Sequence, residues 1–113
     1  MATTMEHSDA PAFLAGTKLL LIDGKHVPAR SGKTFEVVNP ATEEVIAHVA
    51  EGDAADIDLA VSAARKSFES GVWRNLPASE RARIMLRFAD LVEANGDELS
   101  LLETMNNGMP RAF

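Results

Sequence analysis

The sequence of 113 residues contains no cysteine, which excludes disulfides, thiolate metal ligands and a cysteine nucleophile from these residues. No apolar run exceeds four residues, as at 19–22, far short of the ~18 that mark a membrane-spanning helix. Positive charge is scarce: 11 Lys and Arg face 17 Asp and Glu, for a formal charge of −6 and a pI near 4.9. That balance disfavours attraction to nucleic-acid phosphates or an anionic bilayer, so neither nucleic acid nor membrane is expected as a partner. Residues 1–12 hold no Lys or Arg and lack the basic start of a secretory signal, which leaves the cytoplasm as the expected location.

The chemistry-bearing patterns are equally sparse. Glycines at 16, 24, 32, 52, 71, 96 and 108 never come close enough for the G-x-G-x-x-G turn of a dinucleotide site. Ser31-Gly32-Lys33-Thr34 imitates the end of a phosphate-binding loop, but Val27 stands where the earlier glycine is needed and a strand follows. His7, His26 and His48 are scattered without companions at metal-ligand or catalytic spacing and read as structural or surface residues. Asp53, Asp56, Asp58, Asp97 and Glu98 gather at predicted helix starts, where capping explains them and solvent is expected around them. Glu103, among the apolar Leu102 and Met105, is expected to be partly buried in a helix-end hydrogen bond or ion pair.

What is present is a regular order of elements. Residues 1–17 are small and polar and predict a mobile tail, with room for one helical turn after Pro11. Two extended runs flank Asp23-Gly24, a dipeptide suited to the positive φ angles of a tight hairpin. Residues 34–38 and 45–49, rich in β-branched side chains around Pro40-Ala41-Thr42-Glu43, predict a second antiparallel pair. Hairpins are marginal alone, so both need a sheet or helices to lean on.

Asp53 then caps a helix with Ile57, Ala60, Val61, Ala64 and Phe68 on one face, ended by Gly71. A second helix opens after Pro77, with Ser79 as its cap, and presents Ile84, Met85, Phe88, Leu91 and Val92. Asn95-Gly96 breaks it, Asp97 caps a third segment with Leu99, Leu102 and Met105, and Asn107-Gly108 with Pro110 stops that one. The pattern is β-hairpins followed by two or three amphipathic helices. A chain of this length can bury about two thirds of its unfolded surface, provided such faces meet.

The ordered set Leu21-Ile22-Asp23-Gly24, Val37-Val38-Asn39-Pro40-Ala41-Thr42, Ile46, Glu51-Gly52-Asp53, and Leu102-Glu103-Thr104 with Asn107-Gly108 and Pro110 resembles the amino-terminal region of aldehyde dehydrogenases. Ala63-Ala64-Arg65, Trp73 and Arg87-Phe88-Ala89-Asp90-Leu91-Val92 add to the likeness, which runs from about Leu20 to Pro110. Met109 departs from it, standing where a lysine is common.

The resemblance implies an α/β parent enzyme of which residues 18–113 form the opening part of the domain, incomplete at the carboxyl end. Such enzymes oxidise a small-molecule aldehyde with NAD or NADP through a cysteine thiohemiacetal, resolved by water that a glutamate activates. The nucleophile, that glutamate, the oxyanion asparagine and the coenzyme strands lie later than these residues reach, so no catalytic or cofactor-binding residue is expected within them. The isolated piece is expected to be inactive and to bind no coenzyme. Some members hold a monovalent cation with the carbonyl matching Val38 and a carboxylate matching Asn106; the amide here implies weak or no binding. Full-length members are usually homodimers or homotetramers. The competing reading, from another class, is a stand-alone interaction module that docks through Ile84, Phe88 and Leu91.

Overall fold

Asp23 and Gly24 take φ angles of 53° and 72°, the paired left-handed geometry whose twist matches that of a hairpin. They join β1 (Leu20–Ile22) to β2 (Lys25–Val27) in antiparallel register, Leu21 opposite His26. The structure, a computed structural model, describes residues 11–111. The expectation of a mobile tail therefore falls, for residues 1–10, outside the described residues. After Pro11 the chain makes one 3-10 turn, Ala12–Leu14, in the place the sequence allows a helical turn.

The second hairpin pairs β3 (Thr34–Val38) with β4 (Val45–Ala50). Its turn is built by Asn39, whose side chain accepts from Ala41 N at 2.9 Å and whose carbonyl accepts from Glu43 N at 2.8 Å. Register slips between Val37 and Val38, where a bulge places Ala47 and then Val45 opposite them. On the other edge of β4, Lys18 bridges Val49 in parallel, donating to His48 O and accepting from Ala50 N, both at 2.8 Å. That bridge ties the lead-in to β1 onto the second hairpin. Ser31-Gly32-Lys33 forms the turn between β2 and β3, closed by Gly32 N donating to Ala29 O at 2.8 Å, so the imitation of a phosphate loop is a plain connection.

Three helices follow: α1 (Ala54–Ser70), α2 (Ala78–Ala94) and α3 (Gly96–Asn107). Asp53 and Asp56 form a complete capping box at the start of α1, and Gly71 ends it at φ 74°. Gly108 ends α3 in the same left-handed conformation, at φ 80°. The two other expected caps are corrected. The N-cap of α2 is Pro77 and that of α3 is Asn95, neither with a side-chain cap bond; Ser79 and Asp97 sit inside the first turns. Pro77, extended at φ −53° and ψ 147°, stands just outside the helix, and its carbonyl accepts from Glu80 N at 3.0 Å and Arg81 N at 3.1 Å. Arg81 instead secures the α1–α2 connection, donating from Nη1 to Leu76 O at 2.7 Å and to Arg74 O at 3.3 Å.

The enclosed apolar core among the described residues is limited to Ala29, Ala47 and Ala50, and no large side chain is fully buried. Helix α1 rests on the first hairpin through the stripe Asp56, Ala60 and Ala63, while Ile57, Val61 and Phe68 look outward at about 60% exposure. On α2, Met85, Phe88 and Leu91 are more than half exposed. The accessible surface is 9094 Å², against about 6,000 Å² for a compact monomer of 12.2 kDa. The radius of gyration, 18.0 Å against about 13 Å, agrees.

Candidate functional site

The sequence singles out Val38 and Asn106. Val38 closes β3 and Asn106 lies in the last turn of α3. A Cβ on Gly108 would come 3.3 Å from Pro40 Cγ, which puts the end of α3 beside the turn that leaves β3. The two residues thus share a corner of the molecule. Both are exposed, and their oxygens are a carbonyl and a neutral amide. Among the described residues no group of three or more His, Asp or Glu side chains could hold a metal ion.

At the same corner Glu103 accepts from Asn107 Nδ2 at 2.7 Å, and Asn107 Oδ1 accepts from Met109 N at 2.7 Å. The expected helix-end hydrogen bond of Glu103 is therefore there, but its expected partial burial is not: the residue is exposed. His48 pairs with Glu36 directly across the second hairpin at 3.6 Å, both largely in solvent, as a surface histidine would.

The sequence places Asp56 among solvated capping carboxylates, and the structure corrects this: it is 3% exposed. One oxygen accepts from Asp53 N and the other from Arg30 N, each at 3.0 Å. Those backbone bonds, Asp53 first and Arg30 second, hold its carboxyl below the usual carboxylate range; burial opposes them, and the Arg30 charge adds slightly in their favour. A partner 26 residues upstream is what removes it from water, and no local pattern announces that contact.

The junction from β4 through Gly52 into α1 passes from strand to glycine to helix, the sequence of elements that receives phosphates in dinucleotide sites. Here the first-turn amides already face carboxylates: Asp53 Oδ1 takes Ala55 N at 3.0 Å, and Asp56 occupies the cap amide. Two anions at that end repel a pyrophosphate, so these residues do not fit a dinucleotide. Beside the junction, a hollow of about 400 Å³ opens between the first hairpin and α1, lined by Ile22, Val27, Leu59 and Ala63 with Arg30 and Lys66 among its polar residues. No nucleophile and base are paired in it. No helix of the described residues is long and apolar enough to cross a membrane.

The first hairpin leans on α1, the one helix with a complete capping box, and the apolar faces of α1 and α2 turn outward. The same arrangement occurs in the NAD+ complex of an aldehyde dehydrogenase from Bacillus cereus, with a TM-score of 0.84 and 48% identity over 88% of this chain and 20% of that one. A betaine aldehyde dehydrogenase from Staphylococcus aureus matches with a TM-score of 0.85 and 32% identity, over 90% of this chain and 21% of that one. In sequence, the chain is 52% identical to a mitochondrial benzaldehyde dehydrogenase of Antirrhinum majus, covering 96% of this chain and 20% of the relative. The family model described as "Aldehyde dehydrogenase family" matches residues 26–113. The chain belongs to the aldehyde dehydrogenase family. It spans about a fifth of the length of the curated relatives it matches.

Proposed function

We propose that the chain is the amino-terminal part of an NAD- or NADP-dependent oxidoreductase that converts a small aldehyde to its carboxylic acid, residues 18–113 being the opening portion of the catalytic domain. The observation that carries this reading is the outward apolar faces of α1 and α2 in an arrangement that aligns with one fifth of longer aldehyde dehydrogenases. Those faces are scaffold, covered by the rest of the domain. The thiolate and the water-activating carboxylate come from residues outside this stretch, which has no cysteine. The enzyme works in the cytoplasm as a homodimer or homotetramer, to be checked by fractionation and light scattering.

The test is the reading frame past Phe113 and the product it encodes. A continuation bearing a glycine-rich coenzyme turn and a cysteine, whose protein reduces NAD or NADP with an aldehyde while the 113-residue chain alone does not, supports the proposal. Turnover by the 113-residue chain, or a continuation with no cysteine, overturns it.

The family's cation position falls on Val38 and Asn106, and the residues fit it poorly: a hard cation takes about six or more oxygens, commonly with a carboxylate among them. Calorimetric titration of sodium or potassium into the full-length enzyme should give little heat, and Asn106→Asp should restore binding. Equal affinity in both proteins would remove charge as the reason.

The exposed α2 face also supports a second reading, a non-catalytic module that docks on a partner through Ile84, Phe88 and Leu91. It requires the 113-residue chain to be monodisperse and to melt cooperatively on its own.

A further inference from the structure

The chain has two Asn-Gly dipeptides, Asn95-Gly96 and Asn107-Gly108. In such a pair the glycine nitrogen, unhindered by a side chain, can attack the asparagine Cγ. A C–N bond forms, the side-chain amine leaves as ammonia, and the resulting succinimide is opened by water to aspartate or isoaspartate. No oxidant or enzyme is required. The two pairs have the same chemistry and differ only in what the fold does to them.

At Asn107 every participating group is held. Gly108 N, the nucleophile, donates to Thr104 O at 2.9 Å. The carboxamide is bonded at both ends, to Glu103 through Nδ2 and to Met109 N through Oδ1. Pro40 lies against the same glycine.

At Asn95 the nucleophile has no hydrogen-bond partner among the described residues. Gly96 is the first residue of α3, so its N–H is one of the orphan donors of a helix start, and no side chain caps that start. Asn95 is exposed, and among the described residues its carboxamide makes one bond, Nδ2 to Leu91 O at 2.8 Å. At ψ 15° the Gly96 nitrogen points away from Cγ, so ring closure needs the first turn of α3 to unwind. That turn has no side-chain cap and α3 has no buried residue; the backbone bond that opening must break is Leu99 N donating to Asn95 O at 3.0 Å.

From this difference we infer that Asn95 is a site of spontaneous modification, converting to aspartate or isoaspartate through a succinimide with Gly96, while Asn107 is protected by the fold. The product places a carboxylate at the end of α2 and removes the donor to Leu91 O; the isoaspartate form also lengthens the backbone at the α2–α3 junction. The site is a timer on that junction, independent of the enzymatic reading above.

The experiment incubates the full-length protein at mildly alkaline pH, with and without denaturant, and follows amide-to-acid conversion at Asn95 and Asn107 by peptide mass spectrometry. In the native protein Asn95 should convert faster than Asn107 by about tenfold or more, since the extra hydrogen bonds at Asn107 must open first. In denaturant the two rates should converge. Gly96→Ala meets nothing within 4 Å and suits a helix, so it should suppress conversion at Asn95 and leave Asn107 unchanged. Equal native rates, faster conversion at Asn107, or a rate ratio unchanged by denaturant overturns the inference.

Discussion

Asp56 joins segments far apart in sequence with one carboxylate, which fastens the start of α1 to the chain leaving β2. Because the folded form holds its proton less readily than an unfolded aspartate does, the linkage has a definite sign. The contribution is fully present above the unfolded value, near pH 4, and is lost as pH falls through the lower folded value. Protection factors against hydrogen exchange at Arg30 N and Asp53 N, taken relative to the intrinsic rate at each pH, should therefore fall on acidification below about pH 4, ahead of those in the middle of α1. Asp56→Asn keeps one acceptor oxygen and loses the other, so it should expose one of the two amides at neutral pH and flatten the acid response. If both amides stay protected in that variant, the carboxylate is not what holds the junction. This residue was the least legible in the sequence. Its neighbours Ile57 and Val61 suggest an inward apolar face with Asp56 in water, whereas the fold turns Asp56 inward and those two outward.

At the scale of elements, the termini were legible and the faces were not, for a physical reason. Asp23-Gly24, Asp53, Gly71 and Gly108 act through their own backbone torsions or through bonds to amides two or three residues away, so their effect is encoded locally. Which face of a helix is covered depends on a surface elsewhere, and among the described residues the apolar face of α2 is left exposed. Ser79 and Asp97 show the limit of local rules: each is a good capping residue two positions late, because Pro77 and Asn95 set the start first. Gly71 offers the sharpest test of an element boundary. Its φ of 74° disfavours any side chain, and a Cβ there would collide with the carboxamide of Asn75. Gly71→Ala should destabilise the α1–α2 turn by about 1–2 kcal/mol, read as earlier loss of far-ultraviolet helicity in urea. Gly96→Ala, at a helix start with open space, should show no such loss, and equal effects would mean that conformation at Gly71 is not limiting.

For the whole molecule, the surplus of about 3,000 Å² over a compact monomer is the quantity to explain, and it resembles what obligate interfaces bury. Phe88, 62% exposed and central on α2, reports on it most directly. In the 113-residue chain, Phe88→Lys should lower dye binding to apolar surface and reduce self-association without loss of helicity, since the ring leaves little packing behind. If the rest of the domain covers this face, as the proposed function requires, the same change in the full-length protein should cost about 3–5 kcal/mol, as for deleting a buried aromatic side chain. Opposite signs of one substitution in two lengths of chain are what a scaffold face requires. The docking-module reading differs: there the isolated chain is already satisfied, and Phe88→Lys abolishes capture of a partner while solubility stays as it was. Measuring solubility, dye binding and melting for both lengths separates the two, and a destabilised short chain beside an unaffected long one would exclude the scaffold role.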